Sequence, residues 1–216
     1  MTKPIIGILG AGKLGTVLAK IGINSGYKVL IAGSGSVDKI ALTIEILVPG
    51  AKDKLAEEVA EEADIIILAL PLGKYKTIPK EKLQNKIVID AMNYWWEVDG
   101  LESSIIQESL SSSETVAKYL KDSIVVKAFN HMGYHDLEEV LYQTEEKEHK
   151  AIAYATDSVN AGNQVAQIIE DFGFDSLSLG RLSRGVVLEP GHTPFGANLS
   201  KIDLREMIAD NDLINK

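Results

Sequence analysis

The sequence predicts an α/β fold with a doubly wound, mostly parallel sheet and a small C-terminal α/β extension. Two observations lead to this prediction. Apolar runs of strand length alternate with helical patterns along most of the chain, and several of these runs end in a small or polar residue. Fully apolar runs are typical of parallel strands that are buried on both faces, and intervening helices return the chain to the same edge of such a sheet.

The predicted elements follow one another in a regular order. We expect strands at residues 5–9, 27–32, 64–71, 86–93, 123–130, 151–156 and 174–179. We expect helices at residues 16–25, 37–47, 55–63, 111–120, 159–172 and 203–209. Ser111, with Glu114 three residues later, has the pattern of a capping box at the start of its helix. The charged run at residues 145–150 predicts a solvated turn before the next strand.

The first strand runs directly into a glycine-rich turn. This turn is Gly10-Ala11-Gly12-Lys13-Leu14-Gly15, and it opens the first helix. Gly10 permits the tight turn, Gly12 lets the backbone approach a pyrophosphate, and Gly15 lets the helix pack against the strand. A phosphate placed here meets the free N–H groups and the positive dipole of a helix N-terminus. The turn therefore predicts a Rossmann-type dinucleotide-binding unit rather than a turn that binds nothing.

The end of the second strand favours NADP over NAD. NAD enzymes place a carboxylate there, about 20 residues beyond the glycine turn, where it accepts hydrogen bonds from the ribose hydroxyls. This chain instead has Gly33-Ser34-Gly35-Ser36, followed closely by Lys39. Ser34 and Ser36 can donate to the oxygens of a 2′-phosphate, and Lys39 can supply a positive charge. The same serines can also cap the following helix.

Composition and charge exclude several classes of function. The 216 residues carry a formal charge of −9, which argues against a nucleic-acid or membrane partner. The chain has no cysteine, so disulfides, thiol relays and iron–sulfur clusters are excluded, and electron chemistry needs a bound organic cofactor. We expect a cytoplasmic protein, because the first strand begins at residue 5 and no apolar run is long enough to span a bilayer.

We expect the chain to divide near residue 130. Residues 1–130 are predicted to form the Rossmann domain, and residues 131–216 a small region packed on it for substrate binding or dimerisation. In open α/β sheets, ligands bind beyond the carboxyl ends of the strands. The strand ends Ala69-Leu70-Pro71, Asn93 and Asn130-His131 are therefore predicted to converge on one cleft.

The strand ends also carry a family resemblance. The glycine turn, Gly33-Ser34, Ala69-Leu70-Pro71, Asp90-Ala91-Met92-Asn93 and especially Val126-Lys127-Ala128-Phe129-Asn130 resemble the NADP oxidoreductases grouped with coenzyme F-420-dependent NADP reductase. The resemblance extends over nearly the whole chain. It implies hydride transfer between NADP(H) and a flat acceptor such as a flavin or deazaflavin. The family usually has an arginine just after the strand-end serine, where this chain has Gly35.

The candidate catalytic residues follow the strand that ends near residue 130. His131, with Asn130 before it, is predicted to face the nicotinamide and to donate a proton as the acceptor is reduced. Met132 is assigned to the substrate pocket beside them. His135 lies four residues after His131, but no third ligand is evident, so we predict no metal site.

Two further features are candidates for the substrate pocket. Trp95 and Trp96 are the only tryptophans, and they can stack on a flat ring or pack in a loop or an interface. His192 lies in a proline- and glycine-rich loop, of a kind that either covers a site or forms a surface turn.

Hydride transfer between two flat rings depends on alignment more than on a general base, which agrees with the lack of an obvious catalytic constellation. No tyrosine has a lysine four residues later, which argues against a short-chain carbonyl reductase. The sequence thus predicts an NADP-dependent oxidoreductase with a small-molecule acceptor. The resemblance, and the need for further walls around the cleft, imply a homodimer. The alternative is an NADP(H)-binding regulatory or sensor protein without turnover.

Overall fold

The computed structural model describes residues 2–142 and 149–214, with the backbone alone for residues 211–214. Within these residues, eight strands form one sheet. The strands are β1 (Ile6–Leu9), β2 (Val29–Ala32), β3 (Lys52–Asp53), β4 (Ile65–Leu68), β5 (Ile87–Asp90), β6 (Ile124–Ala128), β7 (Ala151–Ala155) and β8 (Asp175–Ser178). Most of the charged run at 145–150 lies outside the described residues.

The order of the strands is that of a doubly wound fold. It runs β3-β2-β1-β4-β5-β6-β7-β8, and the first six strands are parallel. Strand β7 is antiparallel to β6, and β8 is parallel to β7. The first six strands have the order of the Rossmann fold, so the predicted fold class is confirmed.

Helices lie between the strands and cover the sheet. They are α1 (Lys13–Asn24), α2 (Asp38–Leu47), α3 (Ala56–Glu62), α4 (Trp96–Asp99), α5 (Ser112–Tyr119), α6 (Tyr134–Glu138), α7 (Val159–Asp171) and α8 (Lys201–Ile214). Short 3₁₀ segments occur at Leu72–Thr77, Lys80–Leu83, Glu102–Ser104, Glu139–Tyr142 and Leu182–Leu188. None of the helices in the described part of the chain has the length and apolar character needed to cross a membrane.

The apolar strands explain why the sheet is the centre of the molecule. Every residue of β1, β2, β4 and β5 is buried. Along β4, Ile65 and Ile67 belong to one core cluster, whereas Ile66 and Leu68 belong to another. This alternation has the period of two expected of a strand, and it shows that both faces of the sheet carry a core.

Residues beyond 130 extend the same sheet. Strands β7 and β8 continue it at the β6 edge, and a third core cluster there includes Leu177, Leu188 and Leu204. The division of the chain near residue 130, and the roles given to the two parts, stay predictions.

The ends of the elements differ from the expected ones for local reasons. Helix α1 begins at Lys13, three residues early, because Gly12 is its N-cap and accepts from the Thr16 N–H at 2.9 Å. Helix α5 has the predicted capping box, in which Ser111 and Glu114 each accept from the other's backbone N–H. Strands β4, β5 and β6 end before their predicted ends, and the residues left over form loops at the carboxyl edge of the sheet.

Candidate cofactor and active site

The glycine turn joins β1 to α1 so closely that two of its positions have no room for a side chain. Gly10 has a φ of +125°, and a β-carbon there would overlap the Ala69 carbonyl group beyond β4. A β-carbon at Gly15 would overlap the Gly10 carbonyl oxygen. At Gly12, by contrast, a β-carbon would meet no atom within 4 Å. Packing within the chain therefore explains Gly10 and Gly15 but not Gly12.

The other residues of the turn are divided between core and surface. Ala11 and Leu14 are half-buried and pack against the core cluster that contains Ile8. Lys13 is exposed, and its Nζ lies 3.1 Å from the hydroxyl oxygen of Tyr134 in α6. Lys13 thus connects the turn to the residues beyond β6.

A cleft of about 560 Å³ lies beyond the carboxyl ends of β1, β2 and β4. Four residues predicted to bind the cofactor line it, and they come from three different strand ends: Gly10, Ser34, Leu70 and Pro71. Ala69 is tied to the same edge, because its N–H donates to the Leu9 carbonyl at 2.9 Å. The strand order reverses between β1 and β4, which is where open α/β sheets bind ligands.

Polar residues follow β2, and the first of them, Ser34, lines the cleft. Ser34, Ser36 and Lys39 are all exposed. Gly35 has a φ of +97°, a conformation that L side chains rarely adopt. A β-carbon on Gly35 would lie 3.3 Å from the Lys39 Nζ. The Lys39 ammonium therefore lies over position 35. The NADP oxidoreductases that the sequence resembles usually have an arginine at this position.

Asn93 and Asn130 form an amide pair beyond β5 and β6. Asn130 Nδ2 donates to Asn93 Oδ1 at 3.0 Å and to the Leu188 carbonyl at 2.7 Å. Asn93 Nδ2 donates to the backbone carbonyl of Asn130 at 2.8 Å. Asn130 Oδ1 is buried and accepts no hydrogen bond from the residues that the structure describes. The pair thus holds one buried acceptor that the described residues leave unused, while Asn93 is its half-buried member.

The backbone that presents Asn130 is strained. Phe129, the residue before it, has a φ of +63° although its side chain is fully buried. A left-handed backbone is rare for a bulky residue and costs on the order of 1–3 kcal/mol. Such strain persists only where the surrounding packing holds it, and it is often found beside binding sites.

A buried ion pair lies directly behind the amide pair. Lys127 and Asp90 face each other in register on β6 and β5, and both side chains have no exposed surface. The Lys127 Nζ donates to the Met92 carbonyl at 2.6 Å and lies 3.4 Å from Asp90 Oδ2. The same Asp90 oxygen accepts from the Ser113 hydroxyl at 2.5 Å, and Asp90 Oδ1 accepts from the Met92 N–H at 3.0 Å.

Glu189 joins this cluster from the end of the 3₁₀ segment Leu182–Leu188. Its Oε1 accepts from the Ser112 hydroxyl at 2.7 Å and from the Ser112 N–H at 3.1 Å. Burial raises the pKa of the Glu189 carboxyl, whereas the positive charge of Lys127 opposes this shift. Gly185 allows the segment to lie on the Lys127 stem, because a β-carbon there would come within 3.0 Å of the Lys127 Cβ.

His131 does not lie in the position that its predicted role needs. Its side chain is 0% exposed, and its Nε2 accepts from the Ala153 N–H of β7 at 3.0 Å. Burial lowers its pKa to about 4, so the ring is neutral at pH 7. A buried neutral ring is a poor proton donor to a bound acceptor, so the predicted role does not fit this environment. Met132 is also buried, within the core cluster around Phe129, rather than on a pocket wall.

The predicted substrate residues lie nearer the surface. Trp95 is 46% exposed and Trp96 is 63% exposed. The Trp95 ring meets Phe195 edge to face, with 5.7 Å between ring centroids. Phe195 belongs to the loop that carries half-buried His192, and this loop is anchored by a hydrogen bond of 2.7 Å from the Gly196 N–H to the His131 carbonyl.

The structure thus brings together two groups of predicted residues. Gly10 of the glycine turn shares one cleft with Ser34, Leu70 and Pro71, whereas Asn93 pairs with Asn130 at the ends of β5 and β6. The buried cluster around Lys127 was not predicted as part of the site. Its sequence signal was present, because Lys127 and Asp90 are charged residues inside otherwise apolar runs and occupy neighbouring strands.

The strand order and the glycine turn define a protein with the Rossmann-type α/β fold. Residues 5–94 match the family of coenzyme F420-dependent NADP oxidoreductases, which confirms the predicted resemblance, although over less of the chain than expected. No match is found among curated proteins.

Solved structures of similar fold cover most of the chain. A hypothetical protein from Sinorhizobium meliloti superimposes with a TM-score of 0.79 at 24% identity, over 93% of this chain and 96% of that one. A candidate F420-dependent NADP reductase from Arthrobacter sp. FB24 gives 0.67 at 20% identity, over 85% and 88%. The 3-hydroxyisobutyrate dehydrogenase of Mycobacterium tuberculosis gives 0.63 at 15% identity, over 87% and 57%. These likenesses confirm the fold.

The burial of His131 predicts a measurable pH dependence of stability. Its pKa is about 4 in the folded chain and 6.5 as an ordinary histidine, so the unfolded state binds more protons between these values. Folding stability therefore falls as the pH is lowered through this window, by about 3 kcal/mol from this residue. His131→Gln keeps an acceptor for the Ala153 N–H but does not titrate. In urea unfolding between pH 7 and pH 4, we expect the variant to lose less stability than the wild type. Parallel pH profiles for the two proteins would contradict this assignment.

Proposed function

We propose that this protein is an NADP(H)-dependent oxidoreductase that transfers a hydride between the nicotinamide and a flat flavin-like or deazaflavin acceptor. The cleft beyond β1, β2 and β4 carries this proposal, because its walls combine Gly10 of the glycine turn with Ser34 at the end of β2. The match of residues 5–94 to a family of NADP oxidoreductases supports the same cofactor.

The cofactor fits the residues at the adenosine end of the cleft. Gly12 leaves open space at the N-terminus of α1, where unpaired N–H groups favour a pyrophosphate. Leu70 and Pro71 provide an apolar wall for an adenine ring. Ser34, Ser36 and Lys39 are the groups that we assign to the 2′-phosphate.

Outside this cleft, at the ends of β5 and β6, we assign the nicotinamide to the Asn93–Asn130 pair. When bound, the nicotinamide supplies or accepts the hydride at its ring. Asn93 is the half-buried member of the pair, and its side-chain amide is the group that we assign to the carboxamide of that ring. We assign His131 a positioning role in place of proton donation, because it anchors the segment after Asn130 to β7 through the Ala153 N–H.

The acceptor is assigned to the aromatic surface beside this pair. Trp95 and Phe195 lie edge to face, and Trp95 follows Asn93 by two residues. An exposed indole stacks readily on a flat ring, and alignment of two rings is the main demand of hydride transfer. The loop that contains His192 would lie over this acceptor.

We also propose that the protein acts as a homodimer. Trp96, Val98 and Leu101 are each more than 60% exposed, in a segment next to the proposed acceptor site. Burial of such side chains against a second copy would be favourable and would add walls to the site. Light scattering is expected to give twice the monomer mass of 23.5 kDa.

Turnover tests the enzyme proposal directly. Protein is mixed with NADPH and, in separate reactions, with FMN, FAD, a deazaflavin or a ferric complex, and nicotinamide absorbance is followed. We expect oxidation of NADPH with at least one flat acceptor. Tight NADPH binding without turnover on any of them would overturn the enzyme proposal in favour of the alternative, a regulatory or sensor protein.

Gly12 separates a demand of the cofactor from a demand of the fold. Because a β-carbon at this position meets no atom of the chain within 4 Å, Gly12→Ala should lower the unfolding free energy by no more than about 1 kcal/mol. It should weaken NADPH binding by about tenfold or more, because the added methyl group lies where the pyrophosphate approaches. Calorimetric titration and urea unfolding measure the two effects.

The contrasting variant is Gly15→Ala, which we expect to destabilise the fold because of the overlap with the Gly10 carbonyl. Unchanged NADPH affinity in a stable Gly12→Ala protein would contradict the proposed pyrophosphate site.

Lys39 is expected to determine the preference between the two cofactors. Lys39→Ala should weaken NADPH binding about ten- to a hundredfold, because it removes a charge-assisted contact, and should leave NADH binding unchanged. Fluorescence titration with both cofactors measures this change. Lys121→Ala, which removes an exposed lysine outside the cleft, is the matched control. Equal losses of affinity for NADH and NADPH in Lys39→Ala would remove Lys39 from the 2′-phosphate site.

A further inference from the structure

The buried cluster behind the amide pair links four separate segments of the chain. Lys127 in β6 reaches the Met92 carbonyl after β5, and Met92 directly precedes Asn93. Asp90 at the end of β5 accepts from Ser113 in α5. The Lys127 ammonium also lies 3.4 Å from the Ser112 hydroxyl, at the start of that helix. One ammonium group therefore connects the ends of both strands to the start of α5.

The remaining connection passes through Glu189. Its carboxylate accepts from the N–H and the hydroxyl of Ser112. The preceding residue, Leu188, gives its carbonyl to Asn130 Nδ2 at 2.7 Å. Lys127 thus binds the carbonyl of Met92, the residue before Asn93. Glu189 directly follows Leu188, whose carbonyl binds Asn130.

We propose that Lys127 and Glu189 are positioning residues for the nicotinamide end of the site, an inference that rests on the proposed function. Lys127 fixes the carbonyl before Asn93, and Glu189 fixes the carbonyl that orients Asn130. Together they set the separation and the orientation of the two amides. The adenosine end, which depends on the glycine turn and the end of β2, is not controlled by this cluster.

Stability alone does not account for this arrangement. Taking two charges out of water costs several kcal/mol per ion, and well-packed apolar residues of similar volume are often as stable or more stable. Apolar side chains in the same place would not hold the Met92 carbonyl or the start of α5 at a defined position. The specific contribution of the buried charges is therefore geometric, and it is made next to the strained Phe129 and the unpaired Asn130 Oδ1.

Two ligands that share the adenosine end separate positioning from folding. NADPH and 2′-phospho-ADP-ribose both present the 2′-phosphate and the pyrophosphate, but only NADPH has a nicotinamide. The affinity for NADPH divided by the affinity for 2′-phospho-ADP-ribose therefore reports on the nicotinamide end alone. In Glu189→Gln, which keeps an oxygen for Ser112, we expect this ratio to fall about tenfold, with unchanged affinity for 2′-phospho-ADP-ribose. The emission of bound NADPH should change in the same variant.

Lys127→Met alone is expected to destabilise the fold, because it leaves Asp90 buried without its counter-charge. The ammonium must therefore be removed together with that charge. The double variant Lys127→Met with Asp90→Asn removes both charges of the ion pair. It should fold, because burial already raises the pKa of the Glu189 carboxyl, which favours the neutral form once Lys127 is gone. We expect the same fall in the affinity ratio for this protein.

Lys86→Met is the matched control. Lys86 is also a lysine that binds backbone carbonyl groups, those of Ala60, Glu61 and Ala63, but at the start of β5. We expect Lys86→Met to lower the unfolding temperature without changing the affinity ratio. If Glu189→Gln and the double variant behave like this control, the two residues are structural and the inference is overturned. If the wild type binds neither ligand, both the proposed function and this inference fail. Ligand binding by the wild type therefore distinguishes failure of the inference alone from failure of the proposed function.

Discussion

A lysine ammonium with no access to water imposes the main constraint on the carboxyl edge of this sheet. The buried Lys127 side chain must have its charge balanced and its three donors directed at acceptors, since an unpaired buried charge is very costly. Asp90 supplies the opposite charge from the neighbouring strand, and the Met92 carbonyl supplies the shortest hydrogen bond. The loop after β5 therefore has little freedom. The amide pair lies where it does because this loop and the segment ending at Glu189 are both held around one cation.

The other half of the site depends on steric exclusion rather than charge. The Gly10 turn passes so close to the residue after β4 that no β-carbon fits, and the start of α1 passes just as close to the Gly10 carbonyl. These contacts hold the chain close to the ends of β1 and β4, and the cleft lies beyond them. Only Gly12 is left without a packing reason to be glycine. A fingerprint of three glycines thus contains two that the fold requires and one that only the proposed cofactor would explain.

The parts of the structure that the sequence predicted are those governed by local patterns. Apolar runs identified every strand except β3, whose two residues, Lys52 and Asp53, are too few and too polar to show a pattern. The capping box at Ser111 was predictable because both hydrogen bonds lie within one helical turn. The antiparallel direction of β7 was not predictable in this way, because pairing depends on which edge is free once the sheet has formed.

The environment of individual side chains was harder to predict for the same reason. His131 follows a strand that ends at the carboxyl edge of the sheet, yet its ring is buried and accepts a hydrogen bond from the Ala153 N–H of β7. The hydrogen bonds of Glu189 to Ser112 join residues 77 positions apart, so no local pattern reports them. Lys127 and Asp90 were visible as charges in apolar runs. That they form an ion pair could be recognised only from the strand register, which places them side by side.

The two ends of the proposed cofactor site differ in rigidity, and this difference follows from their electrostatics. At the 2′-phosphate end the cation is Lys39, an exposed flexible side chain that lies over a glycine where the resembling family has an arginine. Its attraction for a phosphate is screened by salt and lacks the bidentate geometry of a guanidinium. At the nicotinamide end the charges are buried, and salt screens buried pairs much less. Under the proposed function, the choice between NADP and NAD is then the adjustable property, whereas the placement of the nicotinamide follows from the buried charges of the fold.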